Sequence, residues 1–268
     1  MNAPPPRNIM ITGASGAIGS ALALFYSVPG VSLYLLGRQL SALEQVANQC
    51  RERGASVEVA CVDLTNQNAL LAWCALQPTR ITPDLVIINA GLNHTVCEQN
   101  PEEDSRASSD VLTVNLMSAI KLVQSYVPFM RTQGHGQIAL ISSLAAWRGL
   151  PCTASYSASK AGIKAYGESL RAALAPSGIC VNVVLAGYVS SPMCDAMPGP
   201  KPGLIKPKKA AKIIANGLAK NKGRISFPFW LSIGSQCLAV LPDAWAIQVL
   251  NRLGYGLQNK RSQFGRHE

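Results

Sequence analysis

From Asn8 to Gly187 the chain alternates short apolar runs with longer amphipathic stretches. The runs are centred on Asn8–Thr12, on V-S-L-Y-L-L ending at Gly37-Arg38, and on S-V-E-V-A-C-V ending at Asp63. Three more follow: D-L-V-I-I before Asn89-Ala90-Gly91, Q-I-A-L-I before Ser142-Ser143, and I-C-V-N-V-V-L before Ala186-Gly187. Runs this short, with little polar alternation, predict strands buried on both faces. The stretches between them predict helices over residues 17–28 (stopped by Pro29-Gly30), 41–53, 67–76 and 107–130, and one from Tyr156 to about Pro176. Strand and helix in strict alternation give an α/β fold: a doubly wound parallel sheet with right-handed crossovers and helices on both faces. Beyond it, residues 206–222 predict a basic helix and I-S-F-P a last strand, followed by an apolar tail. At 268 residues the chain suits one domain, with 201–268 an extension rather than an independent unit.

In such sheets ligands gather beyond the carboxyl ends of the strands. Ser15, Arg38, Asp63, Asn89, Ser143 and Ser191 all fall at those ends. The first strand leads into T-G-A-S-G-A-I-G and then a helix. A glycine-rich turn in that setting lets backbone approach a pyrophosphate at a helix N-terminus. Tyr156 and Lys160 are four apart, so on a helix they share a face. A neighbouring ammonium favours the phenolate and is expected to lower the tyrosine pKa toward working pH. Ser143, thirteen residues before Tyr156 and beyond a turn at Arg148, Gly149 and Pro151, brings a hydroxyl to the same place. A polariser, a proton donor and a cation are what carbonyl reduction by hydride needs.

These motifs together resemble the short-chain dehydrogenase/reductase family, over about residues 8–193. The turn is similar to that family's T-G-x-x-x-G-x-G, with Thr12, Gly13 and Gly19 matching and Ala17 in place of the middle glycine. The resemblance implies a Rossmann-type domain that binds NAD(P)(H) through Gly13, Ser15, Gly16, Ile18, Gly19, Arg38, Asp63, Leu64, Asn89, Ala90, Gly91, Val189 and Ser191, with Tyr156 and Lys160. Asp63 resembles the aspartate near adenine, and Asn115 the residue holding a water in a proton relay from lysine. Ser143, Tyr156 and Lys160 complete the catalytic set, the thirteen-residue spacing selecting Ser143 over Ser142. Ala186 stands where the family usually has proline, and Ser191 offers the hydroxyl expected near the carboxamide. Gly37 occupies the position of a ribose-binding acid and Arg38 follows it, which favours a 2′-phosphate and hence NADP(H) over NAD(H).

Leu144, Ala145, Ala146, Trp147, Leu150 and Pro151 form an apolar stretch, and Met193 and Met197 lie in a proline-rich segment that reads as a mobile lid. The expected substrate is therefore a hydrophobic or lipid-like ketone or secondary alcohol. A 3-ketoacyl thioester reductase is the alternative enzyme reading, and an NADPH-sensing regulatory protein the non-catalytic one. The family further implies a homodimer or homotetramer, formed through helix 107–130 and the tyrosine helix.

Charge changes the picture only at the end. Residues 1–200 hold twelve Lys/Arg and twelve Asp/Glu, whereas 201–268 hold twelve against two, so the whole formal charge of +10 lies there. The apolar tail from Phe227 to Leu241 is shorter than the roughly 20 residues that span a bilayer. It reads as two amphipathic helices against the core, a second subunit, an acidic carrier or a membrane surface, with nucleic acid ranked last. Eight scattered cysteines without a C-x-x-C pair predict free thiols in a reducing compartment, and three dispersed histidines predict no metal site. The N-terminus lacks an apolar signal region, so a cytoplasmic location is expected, with possible contact at the inner face of a membrane.

Overall fold

A computed structural model describes residues 5–76, 82–96 and 102–255. Cys97, His267 and the basic residues Lys260, Arg261 and Arg266 lie outside the described residues. Seven strands form one sheet: β1 (Asn8–Thr12), β2 (Ser32–Gly37), β3 (Ser56–Cys61), β4 (Leu85–Ile88), β5 (Gly136–Ser143), β6 (Ile179–Ala186) and β7 (Arg224–Phe227). Their order is β3-β2-β1-β4-β5-β6-β7, and every pair is parallel. The helices are α1 (Ala17–Tyr26), α2 (Leu40–Arg51), α3 (Gln67–Leu76), α4 (Ser105–Leu112), α5 (Ser118–Gln133), α6 (Ala154–Leu174), α7 (Pro192–Asp195), α8 (Pro207–Ala219), α9 (Phe229–Val240) and α10 (Asp243–Arg252).

Strand alternation sorts the core into two layers. Ile9 and Ile11 of β1 meet Leu22, Leu43 and Ile214, from α1, α2 and α8. Met10, between them, faces the layer of Leu70, Leu122, Tyr126 and Ile163, from α3, α5 and α6. A strand covered on both sides has no polar face, which is why all four residues of β4 are buried.

The order reverses at β1, which pairs with β2 on one side and β4 on the other. The loops leaving β1 and β4 therefore part and leave a crevice above the carboxyl ends. Thr12 and Asn89 fasten the two strand ends beneath it. The Thr12 hydroxyl accepts from the backbone N–H groups of Asn89 (2.9 Å) and Ala90 (3.0 Å), and the Asn89 amide donates to the Thr12 carbonyl at 3.0 Å and the Gly13 carbonyl at 3.2 Å. Gly13 has φ +61°, and a Cβ there would fall 2.8 Å from the Ala90 Cα. Only glycine allows this approach.

The helix expected over 107–130 is α4 and α5 joined by a π-helical turn at Thr113–Met117. After β7, helices α9 and α10 fold back over the carboxyl end of the sheet, where Leu231 of α9 packs with Leu144, Val183 and Leu185. Arg148 pairs with Asp243 of α10 at 2.7 Å. No described helix is long and apolar enough to cross a membrane. The seven described cysteines are free thiols.

At Gly19, inside α1, an added Cβ would press on the Gly13 carbonyl and lie 2.9 Å from the Ala14 Cα. Alanine gains about 1 kcal/mol of helix propensity over glycine, while overpacking against fixed backbone costs about 1–3 kcal/mol. Because both contacts are with backbone, the cost falls in the upper part of that range, and Gly19→Ala is expected to lower the unfolding free energy by about 1–2 kcal/mol. An unchanged midpoint in urea titration would show that the turn can yield.

Candidate active site

A cleft of about 840 Å³ runs along the carboxyl ends of the sheet. Its first half is built from the loops after β1, β2, β3 and β4. Gly13, Ser15, Gly16, Ile18, Arg38, Asp63, Leu64, Asn89, Ala90 and Gly91 all line it. Gly19 lies beneath, buried, and supports the turn rather than facing the cleft. Gly16 is the extended residue before α1 and Ala17 is the first helical one, so the alanine takes ordinary helical backbone where the family pattern has glycine. Ser15 and Gly16 are exposed; the Gly16 N–H donates to the Gly13 carbonyl at 3.0 Å, and the first N–H groups of α1 that follow it are left open to an anion. The Asp63 carboxylate accepts from the backbone and hydroxyl of Thr65, both at 2.9 Å, which fixes its direction. Arg38 is exposed, and its guanidinium is in none of the ion pairs among the described residues.

Ser143 ends β5, and Tyr156 and Lys160 lie a turn apart on α6; all three line the cleft. Burial raises the pKa of Tyr156, and the neighbouring Ser143 hydroxyl offsets part of that rise. This differs from the lowering expected from the lysine. The Lys160 ammonium lies 5.6 Å from the tyrosine ring centroid and donates to the Ile141 carbonyl at 2.9 Å. Its own pKa is pulled down to about 8 by burial. Desolvation acts on both groups and outweighs their mutual attraction, because the ammonium is aimed at a carbonyl instead of the phenol oxygen.

Ser142 and Ser143 both border the cleft, but Ser142 is buried and its hydroxyl is engaged, donating to the Lys160 carbonyl at 2.7 Å, so it braces α6. Asn115 stands on the π-helical turn. Its amide oxygen accepts from the Leu92 N–H at 2.7 Å, and its nitrogen donates to the Leu92 carbonyl and the Ser159 hydroxyl, each at 2.9 Å. The side chain thus joins the loop after β4 to α6 and does not line the cleft. A Cβ at Gly91 would come 3.4 Å from the Lys160 ammonium and 3.3 Å from the Asn115 oxygen, so a bare backbone passes between them.

The second half of the cleft is apolar. Leu144, Ala145 and Leu150 line it as expected, but Ala146, Trp147 and Pro151 do not. A 3₁₀ turn at Leu144–Ala146 carries Trp147 away, and its ring is covered by Lys164 at 4.3 Å and Arg224 at 5.3 Å. Arg148 lines the cleft where Trp147 was expected. Met193 and Met197 line it too, within a segment held by the Val189–Ile205 bridge and the short helix α7. Val189 and Ser191 both reach the cleft. The Ser191 hydroxyl already donates to the Val189 carbonyl and accepts from the Cys194 N–H, each at 3.1 Å. It caps α7.

Sequence reasoning missed the opposite wall. Trp230, Leu231 and Leu238 of α9, Leu250 of α10, and Leu253 and Tyr255 beyond it line the same cleft as Tyr156. The Tyr255 hydroxyl lies close to that of Tyr188 and donates to the Pro200 carbonyl at 2.9 Å, tying the end of α10 to the methionine segment. The available signal was α9's composition: it is apolar on every side, as a helix contacting two surfaces would be.

Known proteins share both the sequence pattern and the fold. An uncharacterized oxidoreductase of Myxococcus xanthus is 31% identical over 239 residues, covering 88% of this chain and 93% of its own. A short-chain dehydrogenase from Sphingobium yanoikuyae, solved with NADPH, superposes with a TM-score of 0.76 at 22% identity, over 95% of this chain and 99% of its own. The bulky-bulky ketone specific alcohol dehydrogenase from Comamonas testosteroni gives 0.74 at 19% identity, over 98% and 97%. The sequence model of the short chain dehydrogenases matches residues 7–199. With that match over most of its length, and with this cleft, the chain belongs to the short-chain dehydrogenase/reductase family and is an oxidoreductase of CH–OH and C=O groups.

Proposed function

We propose that the protein reduces a bulky hydrophobic ketone with NADPH, or oxidises the corresponding alcohol with NADP⁺. The observation that carries this reading is a single cleft with a glycine cradle at one end, Ser143 and Tyr156 in the middle, and an apolar wall at the other. Gly13 fits the nucleotide because a side chain would close the cradle against Ala90, and the first N–H groups of α1, beyond exposed Ser15 and Gly16, would meet its phosphates. Asp63 would face adenine, Asn89–Gly91 and Val189 would follow the cofactor, and Lys160 would hold the nicotinamide ribose. Arg38, exposed beside side-chain-free Gly37, would take the 2′-phosphate. When bound, the cofactor supplies or accepts the hydride.

The chain's own residues handle the proton. Ser143 hydrogen-bonds the substrate oxygen, and the Tyr156 hydroxyl donates its proton there as the alcohol forms. The phenol is protonated at neutral pH, as a donor must be, and burial raises its pKa further. Asn115 acts by positioning, since its amide secures the loop and helix on either side of Lys160. The wall from α9 and α10 excludes water and favours a substrate with little polar surface. The ketone preference in the name of the Comamonas enzyme and the NADPH bound to the Sphingobium enzyme both support this reading.

Tyr156→Phe is expected to lower turnover of a bulky ketone by about 10²–10⁴-fold, with NADPH binding, followed by fluorescence, unchanged. Full activity in that variant would remove the assigned proton donor. Arg38→Asp should exchange a charge-assisted contact for a repulsion. It should move the ratio of kcat/KM for NADPH over NADH by about 10–100-fold toward NADH. An unmoved ratio would make Arg38 a plain surface residue.

Lys160 gives a prediction about pH. Its folded pKa of about 8 lies below the ordinary 10.5, so between those values the unfolded chain holds more protons. Stability from this group is lowest below about pH 8 and recovers as the pH rises toward 10.5. Lys160→Met removes the dependence. Its stability relative to the parent should fall by about 3 kcal/mol between about pH 7 and about pH 10.5. Denaturant titration at the two pH values reads the change, and a constant difference would mean that the ammonium is not desolvated.

A further inference from the structure

Helix α9 carries no charged residue and presents two different faces. Trp230, Leu231, Gly234 and Leu238 turn toward the cleft. Phe229, Ile233 and Val240, spaced to share the other face, are 76%, 44% and 83% exposed. On α10, Trp245 and Ile247 are 64% and 51% exposed, and none of these five residues lines the cleft. Eight of the 17 large apolar side chains exposed among the described residues fall between 229 and 253. Such clustering is not the scattered exposure of an ordinary surface. The patch also runs into the cleft: Met193, Val249 and Leu253 are exposed and line it as well.

The surroundings of the patch are basic. Gly203 packs against the Trp230 ring, and Pro200 accepts from Tyr255, so Lys201 and Lys206 lie in a segment tied to both helices. Lys208 and Lys209 follow, exposed on the first turn of α8, and Arg252 is exposed at the end of α10. Residues 201–268 carry twelve basic against two acidic residues, three of the basic ones beyond Tyr255. A second copy of the chain would bring like charge against like charge. An anionic lipid surface matches the apolar and the basic parts together.

We propose that the outer face of α9 and α10 docks on anionic lipid bilayers, with the cleft rim at Met193, Val249 and Leu253 facing the membrane. Apolar side chains enter the headgroup boundary while the lysines meet lipid phosphates. A ketone dissolved in the bilayer then reaches Tyr156 along an apolar path. Docking goes beyond the assigned reaction and is read without turnover, so either can fail alone.

Flotation of the full chain with vesicles of phosphatidylcholine, with and without phosphatidylglycerol, tests the proposal. The protein should float with the anionic vesicles and be released by high salt. Phe229→Ser/Val240→Ser/Trp245→Ser should weaken that binding by about tenfold or more, with NADPH oxidation on a short water-soluble ketone unchanged. Lys208→Gln/Lys209→Gln, which leaves the apolar face intact, should weaken it by about tenfold and provides the test if the serine variant misfolds. Absence of the parent protein from the floating fraction at low salt would overturn the proposal. So would a parent dimer, seen by sedimentation, that the serine substitutions convert to monomers with no vesicle binding: the patch would then belong to a second copy.

Discussion

Placing an ammonium where water cannot reach it is the constraint around which this site is built. Lys160 is only 5% exposed and is the one charged residue among the buried residues described. Desolvating such a group costs several kcal/mol unless hydrogen bonds offset it. The Ile141 carbonyl at the end of β5 receives the charge, and the Ser142 hydroxyl holds the Lys160 backbone from the next residue along. Gly91 gives the ammonium room, and Asn115 closes the far side through Leu92 and Ser159. Strand β5, the loop after β4, the π-helical turn and α6 therefore meet at one side chain. The π-helical turn belongs to this arrangement: an extra residue in the helix re-aims Asn115 toward Leu92.

The same constraint explains why so much of the site was legible in the sequence. Groups that bury charge or bring backbones together have few substitutes, so Gly13, Asn89, Ser143, Tyr156 and Lys160 stand out as candidates by residue type and spacing alone. The strands were legible for a related reason, since a strand covered on both faces must be apolar throughout, as β4 is. The direction of the Tyr156 shift was not legible. Spacing places the lysine a turn away, but only three dimensions reveal that its proton goes to Ile141 and that burial dominates both groups. Trp147 misled for a comparable reason. Its apolar character fits a substrate wall as well as a stack beneath Lys164 and Arg224, and the choice is made by a 3₁₀ turn of three residues.

The C-terminal helices were the least legible part, although their chemistry was plain. An apolar segment broken by Pro242 and Asp243 fits a core cap, an interface or a membrane contact equally well when only composition is known. What decides is where β7 ends. Because β7 runs parallel to β6, its carboxyl end delivers Phe229 to the same edge of the sheet as Ser143 and Tyr156. Helix α9 must then start above the cleft, and its inner face becomes a wall whatever its outer face does. Arg148, just after the 3₁₀ turn that follows Ser143, reaches across to Asp243 at the start of α10, at 2.7 Å.

One consequence follows for how the two halves of the cleft share the work. The nucleotide half is made of backbone and short polar groups on loops anchored by Thr12 and Asn89, so its shape is set by the sheet. The apolar half rests on helices that contribute few residues to the core: Ser232 is the only buried residue of α9, and Ala246 and Leu250 the only ones of α10. With so little core of their own, these helices depend on Leu231 packing on Leu144, the Arg148–Asp243 pair and the Tyr188–Tyr255 contact for their position. Elements held by few buried contacts open at lower free energy than the sheet beneath them. Opening of the apolar half therefore falls to α9 and α10, while the geometry of Ser143, Tyr156 and Lys160 stays fixed by β5 and α6. Specificity can change in the tail without disturbing the chemistry.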